Sequence, residues 1–161
     1  MTSSAGGPQP RVLHVVEAFA TGTMEVVRVL AEERHAAGWA VGVAYGRRPE
    51  TPRDARSILS PGIEMFSMPW QDRSVRSHVR TWSAVRELHG RWRPDVVHLH
   101  SSFAGLVGAM ACPRGVPVIY TPHGYSFARE SSPRLARLAF RTVERITARR
   151  VDLIGAVSEA E

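Results

Sequence analysis

Short apolar runs alternate with amphipathic segments along most of this chain of 161 residues. The apolar runs are rich in Val and Ile, which is typical of strands that helices cover on both sides of a parallel sheet. They predict six strands, at residues 11–16, 39–45, 63–68, 95–99, 116–120 and 153–157. Apolar residues at helical spacing predict four helices, at residues 24–37, 74–92, 103–111 and 133–150.

The order of these elements indicates the fold class. Strands that are separated by helices pair in parallel through right-handed crossovers. We therefore predict an α/β fold with a Rossmann-like parallel sheet of about six strands and helices on both faces. Residues 1–10 lack the basic start and the apolar core of a signal peptide, so we expect a disordered leader there and one domain over residues 11–161.

Composition narrows the range of partners. The formal net charge is +6, and every Lys or Arg position is arginine. No zinc-finger spacing, aromatic RNA-binding signature or basic tail accompanies the arginines, so we expect no nucleic-acid partner. Cys112 is the single cysteine and can form neither an internal disulfide nor a thiolate metal site. No apolar run approaches the roughly 20 residues that span a bilayer, and we expect a cytoplasmic protein.

Polar residues follow two neighbouring strands of the predicted sheet. They are His98, His100, Ser101 and Ser102 at the fourth strand, and Thr121, His123 and Tyr125 at the fifth. The carboxyl ends of parallel strands form the crevice where ligands bind. An imidazole there, such as His123 in Thr-Pro-His-Gly-Tyr, can hydrogen-bond a sugar hydroxyl or polarise a leaving oxygen. The alternative is a histidine that only satisfies loop carbonyls.

His98 and His100 raise the question of a metal site. We expect the strand to direct them to opposite faces, so that they do not form a pair of metal ligands. No carboxylate lies nearby to complete a site, and the chain has no Asp-x-Asp pair, so no metal is expected. His98 is expected to be structural, whereas His100 is either structural or part of the crevice.

The loop after the first strand contains one glycine, Gly22. A dinucleotide-binding fingerprint needs three glycines, and a P-loop needs a lysine, so neither motif is present. Free backbone N–H groups at the start of the next helix can still favour an anion. The alternative for Gly22 is a simple turn.

The predicted helix at residues 133–150 is amphipathic. Arginines recur every three or four residues along it, at Arg134, Arg137, Arg141, Arg145 and Arg149. The apolar side, which includes Leu135 and Ile146, is expected to be buried. The arginine side is either a solvated face or a contact with anionic lipid at the inner membrane face, at about 1 kcal/mol for each arginine near the surface.

Four segments in this order carry a family resemblance. They are RVLHVVEAF with the following GTMEVV, then PDVVHLHSS, VIYTPHGYSF and DLIGAVSEAE. The chain resembles the N-terminal domain of family 4 retaining glycosyltransferases, which have the two-domain GT-B fold, and is most similar to bacterial enzymes of polysaccharide assembly. The resemblance implies transfer of a sugar from a nucleotide-diphosphate donor to a glycan or lipid-linked acceptor.

The resemblance also implies roles for particular residues. Gly22 and Thr23 would approach the donor diphosphate through backbone N–H groups, although the family usually has a second glycine in place of Thr23. His123 would be the catalytic residue that contacts the transferred sugar. The remaining substrate-binding residues would be Glu25, His100, Ser101, Tyr125, Ser158 and Glu159.

In that family a second domain supplies the nucleotide pocket and a Glu-x7-Glu motif, and residues 1–161 contain no such domain. We therefore expect the isolated chain to be inactive, with the donor sugar as the only nucleotide ligand and no separate cofactor. Two alternatives stay open. One is half of a nucleotide-sugar epimerase, and the other is a non-enzymatic binding module or one subunit of a split transferase.

Overall fold

The computed structural model of the protein describes residues 7–123 and 134–156. Its strands are β1 Arg11–Val16, β2 Ala40–Gly46, β3 Glu64–Met68, β4 Val96–His100, β5 Val118–Thr121 and β6 Leu153–Ile154. Its α-helices are α1 Thr21–Ala36, α2 Val75–Trp92, α3 Ser102–Ala111 and α4 Arg134–Ala148. A short 3₁₀ helix at Ala55–Ile58, which the sequence pattern did not predict, lies between β2 and β3.

The six strands form one sheet in the order β3-β2-β1-β4-β5-β6, and every neighbouring pair is parallel. The predicted Rossmann-like α/β fold is therefore confirmed. From β1 the chain adds strands toward one edge, and from β4 it adds strands toward the other. The crevice expected at such a switch point lies beyond the carboxyl ends of β1 and β4.

Helices cover both faces of the sheet. On one face, Leu13, Val15 and Leu99 pack in a core with residues of α2 and α3. On the other face, Val12 and Val43 pack in a second core with residues of α1. Strands between two such layers have apolar residues on both sides, which is why these runs are so continuous in the sequence.

Helix α3 lies unusually close to the sheet because it has glycines on its inner side. A Cβ atom at Gly108 would be 2.3 Å from the side chain of Leu99, and one at Gly105 would be 2.6 Å from the ring of Tyr120. Only glycine fits at these distances. The close packing holds the first residue of α3 directly beside the end of β4.

Helix α1 begins at Thr21, rather than at residue 24 as the sequence pattern predicts. Thr21 has a φ of 49° and turns the chain into the helix soon after β1 ends. The glycine of the loop, Gly22, therefore lies in the first turn of α1. None of the helices within the described ranges has the length and apolar character needed to cross a bilayer.

Candidate functional site

A cavity of about 440 Å³ opens at the carboxyl ends of β1, β4 and β5. Glu17, Thr21 and Thr23 line it after β1, Ser101 lines it after β4, and His123 lines it after β5. Its volume lies within the range of small-molecule sites, which is about 300–1,000 Å³. The cavity occupies the position that the parallel topology predicts for a ligand.

Backbone strain is concentrated at this cavity. Among the described residues, the four non-glycine residues with positive φ are Thr21, Arg93, Ser101 and His123. Three of them line the cavity, with φ values of 49° at Thr21, 80° at Ser101 and 56° at His123. Such conformations cost about 1–3 kcal/mol each and cluster at functional sites.

The amino termini of two helices border the cavity. Thr21 begins α1 and Ser102 begins α3, and both residues line the cavity wall. The first N–H groups of a helix have no acceptor within the helix, and the helix dipole is positive at this end. Two such ends on one cavity favour an anion. Ser101, one residue before α3, also has a buried Oγ with no hydrogen-bond partner among the described residues.

Gly22 and Thr23 differ in their position relative to the cavity. Thr23 lines the cavity wall, whereas Gly22 is not among the lining residues. A Cβ atom at Gly22 would meet nothing within 4 Å. Neither packing nor positive φ therefore requires glycine at this position, so a requirement would have to come from a ligand that approaches the backbone.

A buried carboxylate holds an arginine at the rim of the cavity. Glu17 is 4% exposed, and its Oε1 accepts hydrogen bonds from Arg48 Nη1 at 2.8 Å and Arg73 Nε at 3.2 Å. Arg73 itself is largely exposed and lies over the ring of Phe103. The pairing neutralises Glu17 and leaves a guanidinium at the cavity wall that can meet an anionic group.

A chain of three histidines runs from the sheet to the cavity. His123 Nε2 lies 2.9 Å from His100 Nδ1, and His100 Nε2 lies 3.0 Å from His14 Nδ1. His98 packs beside this chain, with its ring centroid 4.0 Å from that of His100. Its Nε2 lies 2.9 Å from Thr121 Oγ1. The four imidazoles come from β1, β4 and the residues after β5.

The expectation that His98 and His100 face opposite sides of the strand is wrong. Side chains alternate along a strand, so residues two apart share a face. His14 is the register partner of His98 on β1 and lies on that same face. His100 is fully buried and does not line the cavity, so its contact with the cavity runs through His123.

The buried histidines are neutral near pH 7. Burial lowers the pKa of His14 to about 3 and that of His98 to about 4, and in each case a neighbouring histidine charge lowers the pKa further. Burial also lowers the pKa of His100 well below its usual range. Desolvation opposes charge on an imidazole, and there is no nearby carboxylate partner in the described cluster to offset it.

One ring nitrogen each from His14, His98 and His100 lies within 4.8 Å of the other two, which is compatible with a set of metal ligands. Neutral imidazoles are common metal ligands. His14 Nδ1 and His100 Nε2 already share a hydrogen bond. No Asp or Glu belongs to this cluster among the described residues, so it lacks a negative charge to balance a cation. The absence of a metal stays a prediction.

The remaining predicted site residues lie apart from the cavity or outside the described residues. Glu25 is on the exposed side of α1, where a hydrogen bond from Arg28 lowers the pKa of its carboxyl. It does not line the cavity. Tyr125, Ser158 and Glu159 lie outside the described residues.

The buried side of helix α4 is not the side that the sequence pattern predicts. Leu135 and Ile146 were expected to be buried, yet they are 80% and 41% exposed. The helix instead buries Glu144, which accepts hydrogen bonds from Ser102 Oγ and Tyr120 Oη. These polar contacts attach α4 to α3 and β5, and they leave apolar side chains of α4 facing solvent.

The sequence and fold were compared with known proteins. A family model described as a glycosyl transferase 4-like domain matches residues 6–161. No curated protein matches the chain by sequence. The fold is similar to that of sucrose-phosphate synthase from Thermosynechococcus elongatus, with a TM-score of 0.68 and 19% identity. That match covers 91% of this chain and 41% of the synthase.

Two further structures have a similar fold. A UDP-N-acetylglucosamine 2-epimerase from Rickettsia bellii matches with a TM-score of 0.67 and 14% identity, over 94% of this chain and 40% of the epimerase. MurG from Acinetobacter baumannii matches with a TM-score of 0.60 and 12% identity, over 91% of this chain and 41% of MurG. The chain thus spans about two fifths of the length of these structures, as one half of a GT-B fold. Because the family model covers nearly the whole sequence, the chain belongs to the glycosyl transferase 4-like domain family.

Proposed function

We propose that this chain is the acceptor-side half of a retaining glycosyltransferase of bacterial polysaccharide assembly. It would transfer a hexose from a nucleotide-diphosphate sugar to a glycan or lipid-linked acceptor. The observation that carries the proposal is the cavity at the switch point of the sheet, where His123 meets the amino termini of α1 and α3. Family membership supports the reaction class.

The donor diphosphate would lie against the first turn of α1. The N–H groups of Thr21, Gly22 and Thr23 have no acceptor within the helix, because the first helical bond runs from Met24 N to Ala20 O. These groups and the dipole would stabilise negative charge on the leaving diphosphate. Arg73 would add a positive charge at the cavity wall. This arrangement needs no metal for charge neutralisation, in keeping with the absence of an Asp-x-Asp pair.

His123 would contact the transferred sugar. Its ring lines the cavity, and the hydrogen bond with His100 fixes its position. An imidazole so placed can hydrogen-bond a sugar hydroxyl and hold the anomeric carbon near the acceptor. Ser101, whose buried Oγ lacks a partner among the described residues, would bind an acceptor hydroxyl.

The nucleotide pocket would come from a second domain that closes over this cavity. The structures with a similar fold are more than twice as long as this chain. The isolated chain would then bind nucleotide sugars weakly and would not turn them over. The reacting complex would contain this domain and its nucleotide-binding half, on one polypeptide or on two.

The transfer assay uses the two halves together, with radiolabelled UDP- and GDP-hexoses and a lipid extract from the source cells as acceptor. We expect transfer to the acceptor, with the anomeric configuration of the donor retained in the product by NMR. Inversion, or the absence of transfer from every donor, would contradict the proposal. Turnover by the isolated chain would contradict the need for a second half.

The similarity to a UDP-N-acetylglucosamine 2-epimerase favours one alternative function, half of a nucleotide-sugar epimerase. The same preparation decides between the two. An epimerase converts UDP-N-acetylglucosamine to its C2 epimer without any acceptor, whereas a transferase consumes donor only when acceptor is present. Incubation with donor alone, followed by NMR of the sugar, therefore separates the two reactions.

Helix α4 would provide a peripheral contact with the cytoplasmic face of the membrane. Arg134, Arg141 and Arg145 of α4 are exposed, as is Arg149 directly after it, whereas Arg137 is half-buried. Leu135 and Leu138 of the same helix are also exposed. An amphipathic helix with apolar residues and arginines at its surface is typical of interfacial binding. Each arginine near an anionic surface contributes about 1 kcal/mol. Such a contact would bring the cavity close to a lipid-linked acceptor.

Sedimentation with vesicles tests this contact. The chain should sediment with vesicles that contain anionic phosphatidylglycerol and stay in solution with neutral phosphatidylcholine. Replacement of both Leu135 and Leu138 with Glu should abolish sedimentation. Val79→Glu, at an exposed apolar position of α2, is the matched control and should leave it unchanged. Equal sedimentation of all three proteins would contradict the role of α4.

A further inference from the structure

The chain of three histidines joins the interior of the sheet to the cavity. His14 on β1, His100 at the end of β4 and His123 after β5 are linked by two N···N contacts of 3.0 and 2.9 Å. We propose that this histidine chain determines which ring nitrogen of His123 carries the proton, with His14 and His100 as positioning residues. The inference relies on the proposed function only for the sugar contact of His123.

Counting protons along the histidine chain leaves two possible sets of protonated ring nitrogens. A neutral imidazole has one N–H donor and one acceptor nitrogen. If His14 donates from Nδ1, then His100 accepts at Nε2 and must carry its own proton on Nδ1. His100 then donates to Nε2 of His123, whose proton is on Nδ1. In the reverse arrangement all three rings carry the proton on Nε2. Donor and acceptor therefore exchange in both N–H···N contacts at the same time.

The surroundings of His14 select between these arrangements. His14 Nε2 is buried and has no hydrogen-bond partner among the described residues. The reverse arrangement would place a proton on that nitrogen and bury a donor without an acceptor. Buried donors without partners are rarer in folded proteins than acceptors that lack a bond. The structure therefore favours the arrangement in which His14 donates from Nδ1.

Two features keep the chain in this state. His14 and His100 are 1% and 0% exposed, so bulk water does not compete for their ring nitrogens. The ring of His98 packs on that of His100, and its own Nε2 is held by Thr121 Oγ1. Rotation of the His100 ring is thereby restricted. Hydrogen bonds in such a chain also polarise one another, so the position of the proton at one end affects its position at the other.

The consequence for the cavity is chemical. With Nε2 engaged by His100, His123 carries its proton on Nδ1, so a hydrogen bond that the ring donates to a cavity ligand would come from that atom. A donor suits a hydroxyl oxygen of the sugar or an oxygen of the leaving phosphate, whereas a bare acceptor nitrogen would repel the phosphate. The buried histidines would thus prepare the cavity for an oxygen-rich, anionic ligand without contacting it.

Nitrogen NMR of the ¹⁵N-labelled chain tests the inference directly, since ring-nitrogen shifts separate a protonated nitrogen from a bare one. At pH 7 we expect His14, His100 and His123 to be protonated on Nδ1. We also expect scalar couplings across both N–H···N contacts. A His123 protonated on Nε2, or the absence of both couplings, would overturn the inference.

A variant then tests the coupling between the two ends. His14→Asp replaces the donor with a carboxylate that accepts a hydrogen bond from His100 Nε2, so the proton of His123 should move from Nδ1 to Nε2. Val12→Ala, on the same face of β1, alters packing only and should leave His123 unchanged. A folded His14→Asp protein with an unchanged His123 would refute the coupling.

If His14→Asp does not fold, the wild-type spectrum alone decides the inference. The spectra involve no sugar transfer. Failure of the proposed function would appear in the transfer assay, whereas failure of the histidine chain would appear in the spectra.

Discussion

Mild acid should destabilise this domain, because His14, His98 and His100 are buried in their neutral form. Burial lowers their pKa below the usual 6.5 in the folded state, to about 3 for His14 and about 4 for His98. Well above pH 6.5 neither the folded nor the unfolded chain binds protons at these rings. Below pH 6.5 the unfolded chain binds them and the folded chain does not, so the free energy of unfolding falls as the pH falls.

The magnitude follows from the two pKa values of each ring. Between pH 7.5 and pH 5, a histidine whose pKa drops from 6.5 to 4 or below costs the folded state about 2 kcal/mol. His14 and His98 together therefore cost about 4 kcal/mol, and His100 adds to the loss in the same direction. Domains have about 5–15 kcal/mol of stability in total, so this loss is a large share of it.

Urea unfolding followed by tryptophan fluorescence at pH 7.5, 6.5, 5.5 and 5 measures this dependence. Near pH 5 the free energy of unfolding should change by more than about 2.7 kcal/mol per pH unit, which corresponds to two or more protons. His14→Leu should reduce that slope by about one proton, or about 1.4 kcal/mol per pH unit. Val12→Ala should lower stability equally at every pH. A wild-type stability that is flat from pH 7.5 to pH 5 would refute the burial of neutral imidazoles.

Two substitutions test the packing that positions the cavity, both by urea unfolding. Gly108→Ala should destabilise the domain by about 1–3 kcal/mol, because the new Cβ atom would lie 2.3 Å from the side chain of Leu99. Gly90→Ala on α2 is the control: its new Cβ atom would have no neighbour within 4 Å, so it should stabilise the domain by up to about 1 kcal/mol. Equal effects would contradict the close approach of α3. Glu144→Ala removes the carboxylate that accepts from the Ser102 and Tyr120 hydroxyl groups and should cost about 2 kcal/mol or more, whereas Glu25→Ala at an exposed ion pair should cost much less. Similar losses of stability for both variants would contradict the role of Glu144 in attaching α4 to α3 and β5.

The sheet and its helices were predictable from the sequence because hydrophobic periodicity reports local structure. Each strand is a short apolar run, and each run is bounded by residues that end strands or begin helices, such as Ser74 at the start of α2. The six-stranded parallel sheet was predicted because segments with strand periodicity alternate with segments with helix periodicity. The predicted helix boundaries differ from the observed ones where backbone geometry decides them. At Thr21 the backbone has a positive φ, and α1 begins there, before the predicted residue 24.

The histidine chain could not be predicted in full, because it depends on contacts between distant segments. His14 and His100 are 86 residues apart in sequence, and only the pairing of β1 with β4 brings them together. One part was accessible: the spacing of His98 and His100 places both on one face of a strand. Glu17 and Arg73 are 56 residues apart, so their pairing at the cavity was equally out of reach of local patterns.

The exposed side of α4 was mispredicted for a physical reason. Apolar periodicity predicts burial of the apolar side, but it does not account for a buried polar anchor. In this helix Glu144 bonds hydroxyl groups on α3 and β5 and so decides which side faces the domain. Leu135 and Ile146 consequently face solvent, and their position is what motivates the proposed membrane contact.

The most direct test of the central claim is the effect of His123→Ala on kcat/KM for sugar transfer by the two halves together. The proposed role of His123 predicts a loss of about 100-fold or more, which is the effect of removing one hydrogen-bond donor that stabilises the transition state. His35→Ala, at a histidine of α1 that does not line the cavity, should keep the wild-type rate. Equal rates for His123→Ala and wild type would show that sugar transfer does not depend on this cavity.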